Sequence, residues 1–206
     1  MRRAWGVALL AGFILSAGVA VAQATHPAAV QQRGAAATSR RNAYRQFLQQ
    51  RSQLQQQAKA ASDREMAREK AGDCPNARTT YDENICLGKA VDASLANYKA
   101  FTGALRSLLG QKNPILAGVD MTGPTGKPLT EEELVKEFDQ VEAAWETYRK
   151  AQCSAAYDFF KGGTIAPSMG SRCELKLTRG RMNDLNYIYD MALRVSGDAP
   201  PRSSGR

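Results

Sequence analysis

Between Thr80 and Gly110 the apolar side chains Val91, Leu95, Tyr98, Leu105 and Leu109 recur at steps of three and four or their multiples, the period of one helix face. Thr80 followed by Glu83 has the form of a capping box, and Gly110 is a stop. The pattern predicts a helix of about thirty residues. Residues 111–129 contain Pro114, Gly118, Gly123, Pro124, Gly126 and Pro128 and predict a connecting loop. Thr130 is an N-cap candidate backed by Glu131, Glu132 and Glu133, carboxylates that complement a helix N-terminus. Leu134, Phe138, Val141, Trp145 and Tyr148 then alternate steps of four and three, predicting one apolar seam on a helix that runs to Phe160. Gly162 and Gly163 end it, and Pro167 and Gly170 predict an irregular stretch over residues 162–172. A third helix is expected from Glu174 to Val195, with Leu177, Leu185, Ile188, Met191 and Ala192 inward and Gly180 as a weak point. No strand pattern competes, so the class is all-α: a small bundle of about three core helices.

Ahead of these elements, residues 40–70 are rich in Gln, Ala, Arg and Lys, with Tyr44, Phe47, Leu48, Leu54 and Met66 as the sizeable apolar side chains. This predicts an extra basic, Gln-rich helix, either packed weakly on the bundle or holding it away from a surface. Residues 25–39 lack large apolar side chains and are expected to form a disordered leader; the Gly- and Pro-containing tail, 196–206, is read the same way. Arg2 and Arg3 precede an apolar run, Ala4 to Val21, that exits through Ala20-Val21-Ala22 and Ala22-Gln23-Ala24. Small residues at that exit favour a cleaved signal peptide, residues 1–24, over a retained anchor. No cysteine stands near the cleavage region, which argues against a lipoprotein. The expected destination is the periplasm or the medium, and the folded unit is expected over residues 73–195.

Charge is uneven. The chain carries +8, but residues 25–72 hold nine Lys/Arg against three Asp/Glu, while residues 73–195 hold fifteen against sixteen. The basic character therefore belongs to the N-terminal segment, which suits peptidoglycan or an anionic membrane, and not to the folded unit.

The four cysteines are Cys74, Cys86, Cys153 and Cys173. An even number in an exported chain reads as disulfides. Cys74 lies in the lead-in to the first helix of the bundle and Cys86 inside it; Cys153 lies late in the second and Cys173 at the head of the third. Of three possible connectivities, Cys74–Cys86 with Cys153–Cys173 joins elements adjacent in the chain. By loop-closure entropy a twenty-residue span of this kind contributes about 3 kcal/mol.

Residues Thr80, Glu83, Asn84 and Cys86, Asp92 and Leu95, Trp145, Tyr148, Arg149 and Cys153, Gly162-Gly163-Thr164, and Cys173, Leu177, Thr178, Arg181 and Leu185 together resemble the LprI-type lysozyme-inhibitor domain. The resemblance covers residues 73 to about 190, its C-terminal half being the specific part. Ala96 stands where the family has asparagine, Lys150 where an acidic residue is usual, and Thr164 in place of serine. The resemblance implies an exported helical protein of a kind that in some members binds and inhibits lysozyme.

Trp145 and Tyr148 read first as core, with Arg149 bridging to a carboxylate or capping carbonyls. Asn84 and Thr178 read as groups that satisfy backbone near helix ends. The stretch 162–172, closed by the Cys153–Cys173 bridge, offers Thr164, Ile165, Ser168, Ser171 and Arg172 as a candidate contact for the paired carboxylates of a lysozyme or another cell-wall hydrolase; a plain connector is the simpler alternative. Catalysis finds little support. His26 is the only histidine and lies outside the folded unit, so no Ser-His or Cys-His pair can form there. No phosphate loop or metal spacing appears, no cofactor is expected, and export disfavours nucleic acid. The expectation is a non-enzymatic binding protein acting by occlusion; the alternative is an envelope structural or stress protein tethered by its basic segment.

Overall fold

The computed structural model describes residues 27–116, 126 and 130–194; the expected signal peptide and tail lie outside them. The helices are α1 (Pro27–Ala71), α2 (Thr80–Leu109), α3 (Glu131–Phe159), α4 (Ala166–Ile188) and the short α5 (Asp190–Leu193). Contacts divide the chain after Thr38. From Ser39 onward α1 belongs with the other helices; the part before it is a separate unit, and its helical backbone replaces the disordered leader expected there. The Ala-rich composition of residues 27–38 explains that difference: alanine is the best helix former.

The helix starts follow local chemistry. At α2 the cap is Thr79, one residue earlier than the spacing suggested: its side chain accepts from the Asp82 backbone N–H at 3.1 Å. At α3 Thr130 and Glu133 form the reciprocal capping box. The start of α4 falls eight residues before Glu174. Pro167, read as a breaker, sits in the first turn, where its missing N–H costs nothing and its φ is already helical.

The main core joins Ala58 and Ala61 of α1 to Phe101 and Leu105 of α2, Phe138 of α3 and Met182 and Leu185 of α4. Tyr189 and Leu193 pack on it, with the Phe138 and Tyr189 rings edge to face at 5.9 Å. A second cluster of Leu87, Ala90 and Leu175 surrounds Cys74. The extra helix packs on the bundle through Ala58 and Ala61, both fully buried in the main core. Of the expected inward positions, Leu105, Phe138 and Leu185 are buried, whereas Val141, Tyr148, Ile188 and Met191 are exposed, the last by 87 %. The chain turns at Tyr189, between α4 and α5, which rotates the apolar pattern so that Tyr189 and Leu193 face inward in place of Ile188 and Met191.

Beside this core lies a buried ionic network. Glu65 of α1 is 2 % exposed and accepts from Arg179 Nε and from Asn97 Nδ2, both at 2.9 Å. Arg179 also makes a bidentate pair with Asp73 at 2.8 and 2.6 Å. Arg64 donates to Asn97 Oδ1 at 3.0 Å, and Arg68 donates to the Ala90 carbonyl at 2.9 Å. Burial by itself pushes the Glu65 carboxyl up, but hydrogen bonds from Asn97 and Arg179 and the charge of Arg68 outweigh it and hold the pKa below the ordinary value. Hydrogen bonding to Asp73, opposed by burial and seconded by Glu65, raises that of Arg179.

Candidate functional site

Cys74 pairs with Cys86 and Cys153 with Cys173. The second bridge fastens the end of α3 to the first half of α4, and the N-terminal turns of α2 contact the α3–α4 turn and α4. Asn84 organises this end of the bundle. Its Nδ2 donates to the Thr164 carbonyl at 3.0 Å, and its Oδ1 accepts from the Ser168 hydroxyl. Arg172 pairs with Glu83 one residue away on α2. Lys161 to Ile165 form a tight turn: Gly162 has φ +92°, a region L side chains avoid, and a Cβ on Gly163 would meet the Phe160 carbonyl at 3.3 Å. The double glycine is thus required by the turn itself.

This geometry divides the expected contact residues. Thr164 and Ile165 are exposed on the turn, and Arg172 is exposed on α4 while paired with Glu83. Ser168 is buried and committed to Asn84, and Ser171 is half-buried on α4. The irregular stretch is in truth a five-residue turn followed by helix, because Gly170 lies where α3 and α4 pack closely: a Cβ there would touch Tyr157 Cβ at 3.4 Å. What sequence reasoning missed are the aromatic side chains flanking the turn. Phe159 is 82 % exposed, and Tyr157 is exposed too. Their spacing resembles that of any amphipathic helix, so only the position of Phe159 against the double glycine could have marked it.

The remaining signature residues serve α3 and α4. Arg149 is 6 % exposed, pairs with Glu174 and lies 5.6 Å over the Trp145 ring. Arg181 donates to Glu142 at 2.6 and 3.1 Å, and the Tyr98 hydroxyl donates to the same carboxylate. Burial, then the hydrogen bond to Glu142 and its charge, push the Tyr98 phenol well above its usual pKa. Arg181 is raised as well, burial being overcome by Glu142. Tyr148, read as core, is 54 % exposed: about a quarter turn around α3 separates it from buried Phe138 and its neighbour Arg149. Thr178 is fully buried, and its hydroxyl has no hydrogen-bond partner among the described residues, so it fills space in the core and does not satisfy backbone. None of these groups forms a nucleophile–base pair.

Residues 71–185, more than half of the chain, match the family described as lysozyme inhibitor LprI. The chain belongs to the LprI lysozyme-inhibitor family. A similar curated protein is an uncharacterised protein of Rhizobium meliloti (strain 1021), 28 % identical over 127 residues that cover 58 % of this chain and 81 % of that one. No solved structure matches. The matched span takes in both disulfides, Asn84, the double-glycine turn and Arg181, and it begins where α1 ends. Paired cysteines and this family together indicate a periplasmic or extracellular location.

Proposed function

We propose that the protein is an exported, non-enzymatic binding protein that occludes a lysozyme-type cell-wall hydrolase, with the α3–α4 turn as the part that enters the partner's cleft. The observation that carries this reading is the contrast within the turn. Its backbone is fixed from three directions, by the Cys153–Cys173 bridge, by Asn84 on the Thr164 carbonyl and by Gly162–Gly163, while Thr164, Ile165 and Phe159 point outward. A pre-ordered protruding turn loses little conformational entropy on docking, and an aromatic anchor beside it is the kind of residue that dominates interface energies. Membership of an inhibitor family supports the partner class.

The test is lysis of cell walls by lysozyme, followed by turbidity, with the full chain and with Thr164→Ala, Ile165→Ala and Phe159→Ala combined. All three side chains are exposed, so the fold is expected to survive; inhibition by wild type and its loss in the triple variant are the expected outcome. Undiminished inhibition by the triple variant removes the turn, and no inhibition by wild type removes the lysozyme reading.

A second reading rests on the exposed Arg40, Arg41 and Arg45 of α1, which suit an anionic envelope surface. Co-sedimentation with anionic vesicles or peptidoglycan, lost when the three arginines become glutamine, supports it; sedimentation unchanged by the substitutions rejects it.

A further inference from the structure

Where α2 and α3 face each other they leave a cleft of ≈ 630 Å³, within the range of small-ligand sites. We propose that this cleft, with Trp145 as its platform, binds an uncharged oligosaccharide. It lies on α2 and α3 away from the α3–α4 turn, so the proposal is independent of lysozyme docking there.

Three observations converge on that ligand class. Trp145 and Tyr98 line the cleft with ring centroids 4.8 Å apart and planes tilted by 40°, and neither ring is fully buried. Such a surface accepts the C–H face of a sugar ring while the rim meets its hydroxyls. The rim supplies three cationic and three anionic side chains. They are largely spent on one another or on neighbours: Arg106 on Asp139 at 2.7 Å, Arg149 on Glu174, and Glu142 on Arg181. Oriented hydrogen-bonding edges thus come with no net field, which favours a neutral polyhydroxylic ligand over a polyanion or polycation. Arg149 lines one end and is almost wholly buried, yet its Nε–H has no acceptor. Buried donors are nearly always paired. A ligand oxygen reached by a small shift of the guanidinium or of the Trp145 ring above it would pair this one.

The wall of the cleft adds a fourth point. Gly103 stands in the interior of α2, where glycine is a poor choice for a helix. No atom lies within 4 Å of where its Cβ would be, so close packing does not require the glycine. It keeps the cleft open.

The experiment uses the exported chain; Trp5 belongs to the expected signal peptide, and Trp5→Phe ensures that Trp145 is the sole tryptophan whether or not that segment is removed. Emission of Trp145 and heat are followed during titration with N-acetylglucosamine trimer, with cellotriose, and with galacturonic acid trimer as the charged counterpart. The expected result is a saturable emission change with at least one neutral trimer and none with the acidic one. Gly103→Leu, which fills the cleft from an open position, is expected to keep the helical circular dichroism and a Tm no lower than wild type while losing the response. The proposal is overturned by silence of both signals with both neutral trimers, by equal or tighter binding of the acidic trimer, by heat of binding without any change at Trp145, or by a Gly103→Leu variant that still responds.

Discussion

Helix α2 has two flanks that solve the packing problem differently. Toward α1 and α4 it is closed, with Phe101 and Leu105 in the core and Asn97 joined to the Glu65–Arg179–Asp73 network. Toward α3 it is open along much of its length, and the helices are bridged across a cleft by Arg106–Asp139 and by Tyr98 on Glu142. Both flanks carry charge. On the closed flank the charges are out of water and each has several partners; on the open flank the Arg106–Asp139 pair is about half exposed. The difference teaches that an ion pair's position, not its presence, decides whether it holds a bundle together.

The sharpest way to break this comparison is Glu65→Ala. It leaves the Arg179 guanidinium buried with only Asp73 as counter-charge, and removal of one partner from a buried network costs about 3–5 kcal/mol. Urea unfolding of the full chain should show that loss; a midpoint equal to wild type would mean the closed flank is held by Phe101 and Leu105 alone. Next in size is Cys153→Ala with Cys173→Ala, which reopens a span of twenty residues. A fall of about 3 kcal/mol is expected from loop entropy, and thermal unfolding with and without reductant checks it. Smaller is the pH dependence of the network. The folded pKa of Glu65 is depressed, so the unfolded chain binds its proton more readily; the stabilisation is complete above the unfolded value near 4.5 and fades as pH falls through the lower folded value. Glu65→Gln should flatten that acid limb of a stability–pH curve, and a limb of undiminished slope would assign it to other carboxylates. Smallest is Arg106→Ala on the open flank, where an exposed pair is worth less than about 1 kcal/mol. A larger loss in the same urea assay would erase the distinction between the flanks.

Helix existence was legible because Thr130 with Glu133, Gly110, and the spacing through Phe138 and Leu185 are local signals that tertiary packing did not overrule. The disulfide pairing was legible for the same reason: each bridge joins neighbours in the chain. The buried faces were harder. On α2 the inward stripe includes Ser94 and Asn97, and on α1 it runs Ala58, Ala61, Glu65; a reading that ranks positions by apolarity steps past small and polar residues, although their three- and four-residue spacing is regular. Pro167 misled for a different reason, since proline ends a helix from within and starts one from its first turn, and residue type alone does not say which. At the candidate turn, Gly162–Gly163 and Thr164 carried a recognisable motif, but the burial of Ser168 depends on Asn84, eighty-four positions earlier.

The family span begins at Ala71, whereas Ala58, Ala61 and Glu65 precede it. Anyone who clones only the matched stretch will therefore amputate one wall of the interior. Such a truncated recombinant product strips Phe101 of its cover and leaves Arg179 with Asp73 but without Glu65, and its insolubility or weak activity would report on where the primer was placed, not on the biology of the intact molecule.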